Sequence, residues 1–321
     1  MVVRHSLFCL LNLYFVHTSA FLSTGAGLTP PKRRVPYSAS KLHTKGTTLH
    51  GKVCKHLPFV SKFTPDRLAV IHKKAQKWDR EIFSMVDVGI SRREARHERF
   101  RVFNVVKEAC PYTIERVGAG YGEGKMLCGI DDILKASPTV LSLGSDGDYT
   151  FEESLLENFP QALVHTYDCT GDFEYSGMHK RKVMFHRQCL GSKAHRNALG
   201  WNFITYDNLL EQLGRPYIAL LKMDIEGYEY EVLPSVLEVE DAAMPLQIAV
   251  EVHYATSMKE LSWSYKNLKN TRGDRIRGGK SIAELALLHM LMLRKGYILI
   301  SREDNCSTCS ELVYMKIFCS E

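Results

Sequence analysis

The chain has 321 residues, of which 45% are hydrophobic and 24% are charged, and it contains nine cysteines. These proportions are typical of an ordinary globular protein, and they exclude a collagen, a low-complexity tether and a small scaffold held together by disulfides. Outside the N-terminal stretch, no apolar run approaches the roughly 20 residues that a membrane-spanning helix needs.

The net charge of +6 is unevenly distributed along the chain. Residues 1–65 contain nine basic residues and no acidic residue, so the rest of the chain carries a slight acidic excess. Nucleic-acid binding requires positive charge on the folded part of a protein. We therefore expect no nucleic-acid partner.

The N-terminus has the pattern of a targeting leader. In residues 1–20, Arg4 and His5 precede the mostly apolar stretch 7–16, and small residues follow it, which predicts a secretory signal peptide or an uncleaved signal-anchor. Residues 21–65 are acid-free, basic and rich in Ser, Thr and Pro, which predicts a disordered leader. We expect entry into the secretory pathway, with plastid import through a bipartite leader as the alternative. Membrane contact would be limited to the signal-anchor.

Residues 66–114 are predicted to form an N-terminal helical extension. Asp66 is placed to cap a helix that begins at Arg67, and apolar side chains recur along this helix at spacings of three and four. A second, heavily charged helical stretch is predicted over residues 92–109. Both stretches are expected to pack outside the main core.

Residues 115–321 show short apolar runs that alternate with helix-length segments. This alternation predicts an α/β domain with a parallel sheet covered by helices on both faces. The predicted strands are Val140–Leu143, Leu163–Tyr167, Val183–Phe185, Ile218–Met223, Gln247–Val252, Tyr297–Ile300 and Leu312–Ile317. The predicted helices are Phe151–Asn158, Tyr206–Leu213, Glu229–Leu237 and Ile282–Leu293. A turn-rich link joins the last two strands, so we expect these two to form an antiparallel hairpin.

The turn after the first of these strands is predicted to bind a ligand. It contains Gly144, Ser145, Asp146 and Gly147. A glycine at this point lets the chain turn sharply beneath a ligand, and Asp168 ends the second strand where a dinucleotide fold binds ribose hydroxyls. Asp146 and Asp148 would repel a pyrophosphate, which favours a cationic adenosine ligand such as S-adenosylmethionine over NAD. The alternative is that both aspartates only cap the following helix.

Acidic and imidazole side chains are predicted to meet at the ends of the fourth and fifth strands. They are Asp224, Glu226, Glu251 and His253. We expect an acceptor site there, because ligands bind at the carboxyl edge of such sheets. His253, with a pKa near neutrality, is the preferred general base, and Asp224 or Glu226 is the second choice.

Other interpretations of the same residues stay open. Glu226 is also placed to complement a helix dipole, and His253 to be a structural histidine. The four side chains together suit a divalent cation, although no metal is predicted. Glu229 and Glu231 are expected at solvated helix positions.

Four segments of the chain resemble the FkbM-type methyltransferases, namely residues 139–152, 164–168, 221–233 and 249–253. The chain is most similar to the methyltransferase-like branch, which shares the Gly-rich segment 122–128 and the stretch with Asn305 and Cys309. The resemblance covers residues 115–321, and the K-x-D-x-E-G-x-E block is its most specific part. It implies a class I Rossmann-like fold with strand order 3-2-1-4-5-7-6 and S-adenosylmethionine as the methyl donor. On the same resemblance, the Gly144 turn cradles the amino acid half of the donor and Asp168 holds its ribose.

Two further features bear on partners and on metal binding. Residues 266–280 hold six basic residues and one acid, which predicts a mobile basic loop over the acceptor site and an anionic acceptor; a solvated loop without function is the alternative. Cys306 and Cys309 form a lone C-x-x-C that is too small for a zinc ribbon, so buried thiols or a local disulfide are expected. The cysteines that stand singly in core or loop segments are Cys110, Cys128, Cys169 and Cys189.

These observations predict an S-adenosylmethionine-dependent methyltransferase. The expected reaction is O-methylation of a hydroxyl on a sugar, a small metabolite or a protein. The first alternative is a binding protein that keeps the fold without turnover, and the second is a nicotinamide-dependent oxidoreductase. Gly144, Asp168 and Asp224 are all present, which favours the enzyme.

Overall fold

The computed structural model of the chain describes residues 52–88, 103–119, 124–197, 200–254, 282–306 and 309–319. A seven-stranded sheet forms its centre, and helices and smaller sheets surround this sheet. The strands of the central sheet are β4 (Thr139–Leu143), β5 (Leu163–Tyr167), β6 (Val183–His186), β10 (Ile218–Met223), β11 (Gln247–His253), β12 (Tyr297–Cys306) and β13 (Cys309–Lys316). The other strands are β1 (Lys52–Val53), β2 (Ile114–Val117), β3 (Lys125–Cys128), β7 (Cys189–Leu190), β8 (His195–Arg196), β9 (Asn202–Ile204) and β14 (Phe318–Cys319). The α-helices in these residues are α1 (Pro65–Val88), α2 (Ile130–Ala136), α3 (Thr150–Asn158), α4 (Tyr206–Gln212), α5 (Glu229–Val236) and α6 (Ile282–Arg294).

The strands of the central sheet follow the order β6-β5-β4-β10-β11-β13-β12. This is the predicted order 3-2-1-4-5-7-6. β13 runs antiparallel to both of its neighbours, and the other pairs are parallel. The predicted class I Rossmann-like fold and its antiparallel last hairpin are therefore confirmed.

The middle strands are buried along their whole length. All six residues of β10 and all five of β4 are buried. A strand covered on both faces needs a continuous apolar run, which is the pattern that these segments carry. The polar residues at the strand ends therefore emerge together at the carboxyl edge of the sheet, where Gly144, Asp168 and Asp224 directly follow β4, β5 and β10.

The N-terminal helix belongs to the main core. α1 packs against α6, and Ile71, Ala75 and Ile82 of α1 are fully buried in the same apolar cluster as the central sheet. The expectation that this helix packs outside the core is wrong. Of the second predicted helical stretch, residues 92–102 lie outside the described residues, and in 103–109 only the short 3-10 turn Lys107–Ala109 is helical.

The folded part of the chain begins earlier than predicted. Residues 52–65 were assigned to the disordered leader, but β1 pairs with β14 and Phe59 is completely buried. The prediction relied on the basic composition of this segment. Its lysines are exposed, but most of its apolar side chains lie in the core or pack against it. Within the described residues, no helix is both long enough and apolar enough to cross a bilayer.

Disulfides join cysteines that the sequence left single. In the described residues they link Cys54 with Cys319, Cys110 with Cys128 and Cys169 with Cys189. Cys309 is disulfide-bonded as well, so it is not a free thiol for a metal. The Cys54–Cys319 bond ties the first described strand to the last one.

Replacing both Cys54 and Cys319 by alanine is expected to lower the free energy of unfolding more than the same change at Cys110 and Cys128. The two bonds span 265 and 18 positions. The loop-entropy relation then gives losses of roughly 5.6 and roughly 3 kcal/mol. Urea unfolding of the full chain without reductant measures both losses. A smaller loss for the Cys54–Cys319 variant would contradict the idea that this bond fastens the N-terminal segment.

Candidate functional site

The loop that leaves β4 is held by charged side chains from the strands on either side. Asp168, at the end of β5, accepts hydrogen bonds from the backbone N–H groups of Ser145 and Asp146 at 3.1 and 3.0 Å. Lys222 of β10 donates from Nζ to the carbonyl oxygen of Gly144 at 2.7 Å. Asp168 and Lys222 are both buried, and charged hydrogen bonds are the stronger kind, so the pair fixes the shape of the loop. Sequence reasoning missed this role of Lys222, although the residue opens the most specific motif block.

Only glycine fits at the start of this loop. Gly144 has a φ of +79°, and a Cβ atom there would lie 1.8 Å from the carbonyl oxygen of Asp224. The loop therefore lies directly against the end of β10, and the predicted donor residues share one crevice with Asp224. Asp146 and Glu226 also have left-handed backbones, with φ values of 47° and 57°. Such strain in residues other than glycine is concentrated at functional sites.

Asp168 already uses both of its carboxylate oxygens within the protein. Oδ2 accepts the two loop N–H groups, and Oδ1 accepts the backbone N–H and the hydroxyl of Thr170 at 2.9 and 2.6 Å. A carboxylate offers about four acceptor positions, and these four donors fill them. Asp168 is thus the anchor of the loop. The contact of Asp168 with a ribose stays a prediction. Such a contact requires the Thr170 hydroxyl to release Oδ1 of Asp168.

The four residues predicted for the acceptor site lie together. His253 Nε2 is 3.5 Å from Glu226 Oε2 and 3.8 Å from Glu251 Oε1. Ligand atoms of Asp224 and His253 lie within 4.8 Å of each other. The ends of β10 and β11 therefore bring an imidazole and three carboxyl groups to one point.

Glu229 is completely buried, which corrects the expectation of a solvated position. Its Oε1 accepts hydrogen bonds from the backbone N–H groups of Ile225 and Gly227 at 3.2 and 3.0 Å and lies 3.2 Å from His253 Nδ1. Glu229 therefore locks the turn that carries Glu226 to the imidazole. The signal that pointed to it is its place in the K-x-D-x-E-G-x-E block, at the first turn of α5. Glu231 is exposed, as expected.

A buried ion pair lies behind these residues. Lys125 of β3 pairs with Glu311 of β13, and both side chains are almost inaccessible to solvent. The hairpin of β2 and β3 is fastened beside it, because the Gln247 side chain donates to the carbonyl oxygen of Cys128 at 2.5 Å and accepts from its N–H at 3.0 Å. The Gly-rich segment of the chain thus delivers a positive charge to the acceptor side of the crevice.

Comparison with known proteins gives the family. Residues 71–316 match a protein family described as "Methyltransferase domain". The chain belongs to this methyltransferase family. The family predicted from the motifs is confirmed at this level. No curated protein matches the chain.

Solved structures of methyltransferases resemble this methyltransferase domain distantly. FkbM from Methylobacillus flagellatus is 14% identical, with a TM-score of 0.36 over 55% of this chain and 43% of its own. An O-methyltransferase family protein from Burkholderia thailandensis is 13% identical, with a TM-score of 0.36 over 59% and 53%. Human N-acetylserotonin methyltransferase is 11% identical, with a TM-score of 0.31 over 56% and 47%. The chain spans about half the length of these proteins, and at this distance they carry no argument about its substrate.

The charges of the methyltransferase site oppose the expected role of His253. Burial disfavours the imidazolium, but the hydrogen bond and charge of Glu229, with the charges of Asp224 and Glu226, outweigh it and raise the pKa of His253 to about 9. The preferred base was expected to have a pKa near neutrality, and the structure contradicts this. At neutral pH His253 is a cation, and it serves to hold the carboxylates.

Glu251 and Asp224 respond to this environment in opposite ways. Burial, together with the charges of Asp224 and Glu311, raises the pKa of Glu251 to about 9. Burial also opposes the ionisation of Asp224, but the positive charges of His253, Lys125 and Lys222 hold its pKa below the usual value. Asp224 is therefore an ionised carboxylate beside a protonated Glu251. Its Oδ1 is buried and has no hydrogen-bond partner among the described residues.

The crevice suits a cationic donor. Partial burial and the charges of Asp168 and Glu226 raise the pKa of Asp146, which shows that these carboxylates lie close enough to repel one another. A ligand with a sulfonium and an ammonium group relieves this repulsion, whereas a pyrophosphate increases it. The residues present therefore fit S-adenosylmethionine. The basic stretch 266–280, predicted to cover the acceptor, lies outside the described residues.

Two groups of side chains in the described residues lie close enough together to hold a metal ion. The first is Cys54, His56 and Cys319, whose cysteines are joined in a disulfide, and the second is Asp224, Glu229 and His253. In the second group, His253 Nδ1 lies at hydrogen-bond distance from Glu229 Oε1 and the imidazole is protonated at neutral pH. A metal ligand must be a neutral imidazole. The protonated His253 is therefore not a metal ligand in this arrangement, and the absence of a metal stays a prediction.

The contribution of His253 to stability is expected to decline as the pH rises from 7 to 10. Its pKa is raised in the folded state to about 9 from an ordinary value of 6.5, so the folded protein keeps a proton that the unfolded chain releases. That stability is fully present below pH 6.5 and is lost through pH 9. The stability difference between the native protein and His253→Gln should fall by roughly 2–3 kcal/mol over this range in urea titrations.

His289 provides the matched control for this pH experiment. It is buried against the Tyr314 hydroxyl at 2.9 Å, and burial lowers its pKa to about 3. It is neutral in both folded and unfolded chains above pH 7, so the effect of His289→Gln on stability should not change between pH 7 and 10. An equally flat result for His253→Gln would show that the imidazole is not charged.

Proposed function

We propose that the chain is an S-adenosylmethionine-dependent O-methyltransferase whose base is Asp224. The methyltransferase family, the anchored Gly144 loop and the acidic crevice support the donor. The observation that carries the choice of base is the buried, unpartnered Oδ1 of Asp224, in a carboxylate held ionised beside the loop. An oxygen of this kind is placed to accept a hydrogen bond from an acceptor hydroxyl.

In this proposal the residues of the chain position the reactants and receive one proton. The bound donor supplies a methyl carbon that bonds to the acceptor oxygen while its bond to sulfur breaks and leaves the electron pair on sulfur. The loop held by Asp168 and Lys222 binds the amino acid end of the donor. Asp224 accepts the proton of the acceptor hydroxyl. Because methyl transfer is an in-line displacement, correct positioning supplies much of the acceleration.

His253 acts as a positioning residue in this scheme. Its imidazolium keeps Asp224 and Glu226 close without their mutual repulsion opening the crevice. Glu251 is protonated at neutral pH and so adds no further negative charge. The cluster therefore contains an ionised acid, Asp224, whose backbone lies against the donor loop.

We also infer that the protein works in an oxidising compartment. The bonds Cys54–Cys319, Cys110–Cys128 and Cys169–Cys189 are of a kind that persists in secreted proteins and in the secretory pathway. The signal-like residues 1–20 agree with entry into the secretory pathway. The acceptor is then a hydroxyl of a glycan, a small metabolite or a protein found there. An anionic acceptor would suit the basic stretch 266–280.

Gly144→Ala is expected to weaken the binding of S-adenosylhomocysteine at least tenfold. The new Cβ would collide with the Asp224 backbone and displace the loop, in addition to the strain of a positive φ. Gly214→Ala is the control, because Gly214 also has a positive φ, of +75°, but has nothing within 4 Å of a Cβ. The control should leave binding unchanged and lower the free energy of unfolding by about 1 kcal/mol. Calorimetric titration measures both affinities, and equal affinities would remove the loop from the donor site.

Asp224→Asn is expected to keep donor affinity within about twofold and to lower methyl transfer at least a hundredfold, as the loss of a general base does. The assay incubates the full chain with labelled S-adenosylmethionine and fractionated extract of the source cells. Asp207→Asn, which changes an exposed carboxylate paired with Arg215, is the control. Undiminished transfer by Asp224→Asn would exclude Asp224 as the base. Donor binding with no label transferred to any fraction would instead favour the non-catalytic binding protein.

A further inference from the structure

The Cys169–Cys189 disulfide lies at the edge of the sheet where the donor loop is held. Cys169 follows Asp168 directly and is 2% exposed. Its backbone N–H donates to the sulfur of Cys189 at 3.2 Å, and the bond closes an excursion of 20 positions that leaves β5 and returns after β6. The bond thus joins the loop after β5 to the short strand β7 that follows β6, at the edge of the sheet where such folds bind ligands.

The same bond fixes the surroundings of the Asp168 carboxylate. Cys169 lies between Asp168 and Thr170, and Thr170 fills Oδ1 of that carboxylate through its N–H and its hydroxyl. On the other side, the N–H of Asp168 donates to the carbonyl oxygen of His186 at 3.2 Å. A covalent link at Cys169 therefore limits how far the carboxylate that anchors the donor loop can move.

The segment after Cys169 also folds over the donor loop. A Cβ on Gly147 would lie 3.0 Å from the Phe173 ring, and the Tyr149 hydroxyl donates to the carbonyl oxygen of Phe173. The rings of Tyr149 and Tyr175 lie 4.9 Å apart. Residues 170–175 therefore pack over the donor loop and form a cover for it. The disulfide is attached at Cys169, which directly precedes this cover.

We propose that the Cys169–Cys189 disulfide is a positioning element of the donor site, so that the protein binds an S-adenosyl ligand tightly only when this bond is formed. This inference rests on the proposed function. Neither cysteine belongs to the main apolar cluster or to the β5–β6 pairing, so we expect loss of the bond to loosen the loop, the anchor and the cover rather than the whole fold. Affinity falls because the ligand must then order these segments itself. The enzyme is consequently inactive until its cysteines have been oxidised.

The test compares two double variants of the full chain, Cys169→Ala with Cys189→Ala and Cys54→Ala with Cys319→Ala. The second is the control, because its bond lies at the chain ends of the fold and closes a far longer loop. We expect the affinity for S-adenosylhomocysteine to fall at least tenfold in the first variant and to stay within twofold in the second, although the second loses more thermal stability. Amide hydrogen exchange should also become faster at Ser145 and Asp146 in the first variant only.

Several results would overturn the proposal. Equal affinities in the two double variants, or unchanged exchange at Ser145 and Asp146, would show that the bond is only structural. If the first variant does not fold, the native protein is reduced stepwise, with the state of each disulfide read by mass spectrometry. Full affinity in molecules with the Cys169–Cys189 bond open would then contradict the proposal. Native oxidised protein that binds no S-adenosylhomocysteine would refute the proposed function itself, and the exchange result would still report on the role of the bond.

Discussion

The site depends on two oppositely charged side chains that hold one loop. Asp168 accepts the loop N–H groups, and Lys222 donates to the carbonyl oxygen of Gly144. Asp168 directly follows β5 and Lys222 lies in β10, and these two strands are the neighbours of β4. The two side chains can therefore hold the loop only in a sheet where β5 and β10 flank β4. Gly144 is also needed for this arrangement, because it lets the loop lie against the backbone of Asp224. Strand order, loop shape and donor site are therefore one constraint.

The acceptor side is governed by charge balance. Burying several carboxyl groups together is unfavourable unless cations or protons compensate them. Here the imidazolium of His253 and the ammonium groups of Lys125 and Lys222 compensate Asp224, and a proton neutralises Glu251. The result is a difference between neighbouring acids, one ionised and one neutral. Such a difference in pKa is how a site assigns separate roles to chemically similar groups.

The strands were predictable because a strand covered on both faces must be apolar throughout, and β5 and β10 have the predicted bounds. The burial of Glu229 was not predictable from its charge, because its partners are the backbone N–H groups of its own turn and the imidazole of His253. The protonation of His253 likewise depends on acids that only the folded chain brings together. The pairing of Cys54 with Cys319 joins the two ends of the fold and leaves no local pattern. Sequence spacing predicted the strands and the meeting of Glu226 and Glu251 with His253. It did not predict the burial of Glu229, the charge of His253 or the disulfide pairing.

Loops carry most of this site, and loops are the least constrained part of an α/β fold. Additional contacts restrain these loops at the places where the predicted site residues follow a strand. Glu229 fastens the turn after β10, Gln247 fastens the hairpin that brings Lys125, and the Cys169–Cys189 bond lies beside Asp168. The first two fasteners are hydrogen bonds formed by folding, whereas the third needs an oxidant. The proposed donor side of the crevice therefore gains its last restraint only in an oxidising environment.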